Sequence, residues 1–352
     1  MSGLFTLAEQ LQGLNRTLDT RRQELVPRSK LRAGLETYVG EFRKARRLDE
    51  TATQRLFQGR SLVGVDGSVN QFGGNYPYTI QLFKALAKST QRDKHNESDV
   101  EIVSLFSPLI GDDHRAVRRF MEEKREELRV APQEDRELER DLAESTAYGM
   151  LIEQRMVEME IDVAMDAIRR FDPYLVMMDG GFSRLKGKGG EKWDELADLA
   201  ELKGTILVGV IEEVGSYRLK SRLLPEEHLL EGFIRGHDRE ILFGTLDEGE
   251  WLKTSLENPI KNDFYTVFTR LADQPQAGAC DFLRSQAEHA DDIIDFLYTI
   301  TPHKSRGIPL WLDLVDAEAR LTKKQIDLIV RSNLDLAHIE TFLRPQRERR
   351  DF

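Results

Sequence analysis

Apolar residues change their spacing along this chain, and each change marks an element. Over residues 5–58 leucines recur at helical spacing among polar and charged residues. That pattern predicts a helical arm or hairpin rather than a core. From residue 61 the pattern tightens. "SLVGVD" (61–66), "YPYTIQLF" (76–83) and "VEIVSLFS" (100–107) are strand-like runs. They are separated by the turn-rich "GSVNQFGGN" and the polar "KSTQRDKHNESD". Three such runs in succession predict an antiparallel meander. Helical periodicity follows at 114–129 and 135–171.

"YLVMMD" (174–179) and "TILVGVI" (205–211) are short and wholly apolar, as strands covered on both faces are. Between them "KWDELADLAELKG" has helical spacing and stops at Gly204. Strand, helix and strand in that order predict parallel pairing through a crossover. Further on, "EILFGTL" and "DFYTVFTRLA" read as strands, and "AEHADDIIDFLYTI" and "PLWLDLVDAEARL" as helices. The expected fold is therefore α/β: a mixed sheet, antiparallel meander first and parallel strands after, flanked by helices. That is a ribonuclease H-like layout. Three segments are expected: an N-terminal helical arm over 1–59, the sheet-bearing domain over 60–330, and a C-terminal helix with a basic tail over 331–352.

Composition narrows the classes. With 352 residues, 40% of them apolar, the chain can bury a sizeable core. Its single cysteine, Cys280, excludes an internal disulfide and a thiolate metal site and fits a reducing compartment. The first residues lack a basic stretch followed by an apolar one, and no apolar run approaches about eighteen residues. A cytoplasmic protein without a membrane span is expected. The net charge of −11 excludes a uniformly basic surface but permits a local basic groove. Residues 42–60, 114–119, 184–192 and 216–224 are the basic runs; each fits a groove lining, and each equally fits a solvated helix face or loop.

Candidate chemistry comes from carboxylates. Asp66 and Asp179 each close an apolar run and are each followed by glycine. Asp-Gly is also a common turn dipeptide, so both readings stand for each. If the two strands are neighbours, both side chains open into the crevice at the carboxyl ends of the strands. Two such carboxylates repel unless a cation lies between them. Their hard oxygens suit Mg2+ or Mn2+.

The long helix adds a third acid. With residues 150–171 projected at about 100° per residue, Glu160 falls within the apolar arc formed by Met156, Val157, Ile161, Val163, Ala164, Ala167 and Ile168. Glu153 is only about 20° away, while Glu158, Asp162, Asp166 and Arg169 lie opposite. A carboxylate on a buried face must be paired, protonated or metal-bound. An ion pair with an arginine and a third metal ligand are the two readings for Glu160, with Glu153 as the fallback ligand. Asp316 in "RGIPLWLDLVDAEARL" is a fourth candidate, because Leu312 and Ala319 share its side of a helix; a surface position is the other reading.

Three or four carboxylates around divalent ions suit phosphoryl transfer on nucleic acid. No HExxH or GxxxxGK[ST] pattern occurs, the seven histidines show no metal-ligand spacing, and "GKGGEK" (187–192) reads as a loop.

"VGVDGS" (63–68), the long helix with its inward Glu, "VMMDGGF" (176–182), "ILVGVIEEVGSYRLKSRLL" and "RGIPLWLDLVDAEARL" together resemble the NurA family of DNA-repair nucleases. The resemblance runs from about residue 60 to about residue 330 and rests on the order and spacing of short motifs. It implies a ribonuclease H-like core and a manganese-dependent nuclease. Such a nuclease combines single-strand endonuclease and 5′ to 3′ exonuclease activity on single- and double-stranded DNA. It also implies a ring-like homodimer that works with a hexameric HerA-type translocase in resecting double-strand breaks. Asp66, Glu160 and Asp179 match the family's acids. The family's Tyr-Pro and Ala-His near the C-terminus have no match: here Ile308-Pro309 and Asp316-Ala317 stand instead. Glu212 and Glu213 stand where many relatives carry a lysine.

Two other classes share these features. Actin-like and sugar-kinase-like phosphotransferases open their sheet with a strand, an Asp and a Gly-rich hairpin, but they need a late glycine pair that is not found here. A non-catalytic dimeric clamp or translocase-docking scaffold is the third reading, favoured by the substituted C-terminal motif.

Overall fold

The computed structural model describes residues 3–125 and 137–344. In chain order its elements are α1 (Gly3–Glu24), α2 (Arg28–Tyr38), β1 (Gly40–Lys44), α3 (Glu50–Phe57), β2 (Leu62–Gly73), β3 (Thr79–Ser89), β4 (Asp99–Phe106), α4 (Gly111–Glu123) and α5 (Glu137–Phe171). Then come β5 (Leu175–Asp179), α6 (Phe182–Gly189), α7 (Glu191–Lys203), β6 (Ile206–Ile211), α8 (Arg218–Leu223), α9 (Asp238–Leu242), β7 (Glu250–Thr254), β8 (Phe264–Arg270), β9 (Gly278–Leu283), α10 (Ala290–Ile300), α11 (Leu310–Ala319) and α12 (Lys323–Asn333). Two compact units result. One holds the described residues up to Gly59, Gly180–Phe182 and Leu207–Leu310; the other holds those of Arg60–Asp179, Ser183–Ile206 and from Trp311 onward.

The second unit carries the candidate residues. Its strand order is β5-β2-β3-β4. β2 and β3 form a long antiparallel hairpin, from Val63↔Ser89 to Gly73↔Thr79, and β3 pairs antiparallel with β4. β5 pairs parallel with β2, from Leu62↔Leu175 to Val65↔Met178. Leu175, Val176, Met177 and Met178 are buried, which explains why that run has no polar alternation.

Helices cover both faces. Successive side chains of a strand point to opposite sides. On one side of β2, a Cβ at Gly64 would lie 2.9 Å from Val315 Cγ2, and Ser68 Oγ donates to the Ala319 carbonyl at 2.6 Å, so α11 packs here. On the other side lies α5, whose Val157, Ile161, Val163, Ala164, Ala167 and Ile168 are fully buried.

The first unit has strand order β1-β7-β8-β9-β6, with every neighbour antiparallel. Leu31, Leu35, Leu219, Leu223, Leu242 and Phe268 belong to one core cluster there. Asp281 on β9 is wholly buried. It accepts from the Phe182 N–H at 3.0 Å, from Thr266 Oγ1 at 2.7 Å and from Lys261 Nζ at 2.6 Å.

Several expectations need correction. β2 does not stop at Asp66: it runs on through Gly67 to Gly73, and the turn lies over 74–78. The expected arm is helical over α1, with Leu7, Leu11 and Leu14 exposed, but residues 40–44 form a strand paired with β7, and Leu31, Leu35 and Val39 are core. "EILFGTL" is helix α9 and a following turn, not a strand. "GKGGEK" is not a loop: it spans the end of α6 and the start of α7, and a Cβ at Gly189 would collide with Ile161 Cδ1, so close packing on α5 requires the glycine. Residues 126–129 and 135–136 of the expected helices, and the basic tail from 345 on, lie outside the described residues.

Candidate active site

Asp66 sits in the middle of β2. The register Val65↔Met178 brings it beside Asp179, the last residue of β5. Asp66 is buried at 6% exposure, and its Oδ1 accepts the Gly67 N–H at 2.7 Å. Asp179 is exposed at the strand end, and Gly180 follows at φ 86°, a left-handed turn that favours glycine. The two sequence-predicted aspartates are thus neighbours.

Glu160 joins them from the α5 side. The next position along β2 is Gly67, where a Cβ would stand 3.0 Å from Glu160 Cγ and Oε1. Glycine leaves the space into which the glutamate fits. Glu160 is buried at 4% exposure. Its Oε2 accepts from Arg184 Nη2 at 2.7 Å, and the same nitrogen donates to the Asp179 carbonyl at 3.1 Å. Glu160 therefore has the arginine partner that was one of its two readings, and stands among the acids as well.

The charges are coupled. Burial pushes Asp66 up to about 7, Asp179 adds to the rise, and Glu160 and Asp316 contribute further, against the Gly67 N–H. Burial also pushes Glu160 up to about 7, with Asp179 adding and Arg184 pulling down. Asp316 on α11 thus acts on Asp66 electrostatically. Its side chain is 31% exposed and pairs with Arg320 at 3.0 Å. Glu153 is corrected: although close to Glu160 in projection, its side chain is 64% exposed and ion-paired with Lys188.

Hard-oxygen donors in this state fit a divalent cation, because a positive ion between Asp66 and Asp179 would relieve the repulsion that raises Asp66. Yet among the described residues no three His, Cys, Asp or Glu side chains are gathered as a group able to hold a metal ion.

Sequence reasoning missed the clamp made by Arg184 and the packing role of Gly67. The basic run 184–192 did contain Arg184, which pairs with Glu160 of α5, while its Lys188 and Lys192 pair with Glu153 and Asp162. Of the other basic runs, Arg60 is consumed by backbone carbonyls of 172, 173, 203 and 204, and Arg218 and Lys220 donate to the carbonyls of Ile260 and Arg235.

The fold is that of an α/β protein with Asp66 and Asp179 side by side on a parallel strand pair. The sequence profile of the NurA domain matches residues 60–321, and the chain belongs to that family. Its fold is similar to the crystal structure of the NurA nuclease from Sulfolobus solfataricus, at 13% identity and a TM-score of 0.52, covering 94% of this chain and 96% of that one. The catalytic domain of human endonuclease V aligns over 89% of this chain and 95% of its own at 12% identity, but with a TM-score of 0.35 that likeness carries no inference. No curated protein matches the sequence. Among the described residues no helix is long and apolar enough to cross a membrane.

Proposed function

We propose that this chain is a Mn2+- or Mg2+-dependent deoxyribonuclease, with its nuclease domain over about residues 60–330. Membership of the NurA family and the fold shared with the Sulfolobus nuclease support a nuclease. The observation that carries the reading is the adjacency of Asp66 and Asp179 on the paired strands β2 and β5, with the buried Glu160 packed against the backbone at Gly67. The order β5-β2-β3-β4, with only β5 parallel to β2, supports a ribonuclease H-like core.

Asp66 and Asp179 would hold the cation, with Glu160 as third ligand and Asp316 as a fourth acid on the α11 side. When bound, divalent ions activate the attacking water and stabilise the leaving oxygen of a phosphodiester. The chain's own residues set up that chemistry. Burial of Asp66 and Glu160 excludes water from the ligands. Gly67 admits Glu160, and Arg184 fixes Glu160 against the end of β5. In the family's terms the enzyme would act as a single-strand endonuclease and 5′ to 3′ exonuclease on single- and double-stranded DNA. It would act in the cytoplasm as a homodimer, with a HerA-type hexameric translocase, in end resection.

The test is cleavage of end-labelled single- and double-stranded DNA with Mn2+, Mg2+ or EDTA. Cleavage that requires a divalent ion is expected; no cleavage under any condition would refute the reading. The substituted C-terminal motif, Ile308-Pro309 and Asp316-Ala317, favours one alternative, a non-catalytic DNA clamp. DNA binding without cleavage in this assay would establish it.

A further inference from the structure

Asp179 is followed by a turn that residues from elsewhere in the chain hold in place. Asp179 closes β5 in the second unit, and Gly180–Phe182, which follow it, belong to the first. The Gly180 N–H donates to the Val210 carbonyl of β6 at 2.8 Å. A Cβ at Gly209 would stand 2.7 Å from the Gly180 carbonyl oxygen and 2.9 Å from Phe182 Cδ1, so glycine in β6 lets the turn lie on that strand. Phe182 starts α6; its ring is wholly buried and meets Phe264 edge-on, with 5.5 Å between centroids.

The most deeply buried of these holds is Asp281. It stands on β9 opposite Gly209 of β6 and Thr266 of β8. Its Oδ2 accepts the Phe182 N–H at 3.0 Å, and a Cβ at Gly181 would stand 3.1 Å from the same oxygen. Its Oδ1 accepts from Thr266 Oγ1 at 2.7 Å. Lys261 Nζ bridges both oxygens, at 2.8 and 2.6 Å, with its side chain 14% exposed. The carboxylate is thus held from three sides. A buried ion pair is a costly way to gain stability, because apolar side chains of similar volume often serve as well or better. What charge-assisted bonds add is fixed length and direction. Here they aim an acceptor at the first N–H of α6, the helix whose Arg184 donates to the Asp179 carbonyl.

We infer that Asp281 is a positioning residue for Asp179: bound to Lys261 and Thr266, its carboxylate anchors the Phe182 N–H, fixes the turn through which the chain leaves β5, and so holds the Asp179 carboxylate where a divalent cation needs it. This rests on the nuclease reading above. Asp281 itself touches neither cation nor DNA. A metal site needs its ligands held to within about 0.5 Å, and loss of the residues that orient them lowers metal affinity or activity by about 10- to 100-fold.

The experiment follows Mn2+ binding to the metal-free protein through the EPR signal of free Mn2+, beside cleavage of labelled single-stranded DNA at saturating Mn2+ and urea unfolding. Wild type is compared with the pair Asp281→Leu with Lys261→Met, and with Asp281→Asn. The double variant keeps the net charge, leaves no unpaired buried charge and removes the acceptor of the Phe182 N–H. Asp281→Asn keeps the side-chain volume and is the variant read should the double one fail to fold. The folded double variant should bind Mn2+ about tenfold more weakly, with kcat about tenfold lower and KM for DNA unchanged. Asp281→Asn should show a smaller loss of the same kind. A role in stability alone would lower the unfolding midpoint and leave Mn2+ affinity and kcat at wild-type values in the double variant or, if that does not fold, in Asp281→Asn. That result overturns the inference while leaving the nuclease reading intact. A wild-type chain that neither binds Mn2+ nor cuts DNA overturns both.

Discussion

Gly67 lies directly against Glu160: a Cβ there would stand 3.0 Å from the glutamate's Cγ and Oε1 and would collide with Met156 Cε. The glycine after Asp66 is therefore not a turn residue. It stands within a strand, outside the positive-φ positions, and its lack of a side chain is what lets an acid of α5 pack directly on β2 next to Asp66.

Replacing Gly67 with alanine should displace Glu160 and Met156. Met156 Cε is the end of a flexible chain and can move, but Glu160 is clamped by Arg184. A loss of about 1–3 kcal/mol in urea unfolding is expected, together with at least a tenfold loss of cleavage. An alanine variant with unchanged stability and cleavage would show that the close approach does not matter.

The raised pKa values set the pH dependence of the metal-free protein. Asp66 and Glu160, both near 7 when folded, lie above the ordinary carboxylate values of 3.8 and 4.5. Between those values the folded state holds protons that the unfolded chain has released, so stability falls as pH rises from about 4 to about 7. Unfolding midpoints in EDTA should therefore drop across this range, and Asp66→Asn or Glu160→Gln should flatten the curve. Midpoints that rise with pH and do not respond to either substitution would contradict the assignment.

Asp179 raises Asp66 second only to burial. In Asp179→Asn that repulsion is gone, and the Asp66 titration followed by carbon-detected NMR should move down from about 7 while staying above 3.8, because burial persists. An unmoved midpoint would place the two carboxylates too far apart to share a cation.

Asp316 pairs with Arg320 across one helical turn on a partly exposed face. Asp316→Asn should cost no more than about 0.5 kcal/mol of stability. If Asp316 serves as the fourth acid, cleavage falls about tenfold, near 1.4 kcal/mol in the barrier; unchanged cleavage would remove it from the site.

β5 and β6 were legible because burial on both faces leaves an apolar run. β1 was not: "GEFRK" is a short strand at the edge, mostly exposed, and carries no core pattern. β9, "GACDFL", hides its strand character behind small residues and the buried Asp281, whose partners come from distant parts of the chain. "EILFGTL" is too short an apolar run for periodicity to separate helix from strand. Among the candidate residues, the adjacency of Asp66 and Asp179 and the burial of Glu160 were legible because each puts a charge in an apolar pattern. Glu153 shares that projection, but seven residues along a helix is about 10 Å, and at that distance it meets Lys188 and solvent instead of the aspartates. Arg184 was hidden because its role depends on which acid it meets, and only the fold decides that.

The most direct test of the account is cleavage of labelled single-stranded DNA in Mn2+ by wild type, Asp66→Asn and Asp179→Asn, each first shown to be folded. The account predicts cleavage by wild type that EDTA abolishes, and loss of cleavage in both variants. Full cleavage by both variants would contradict it.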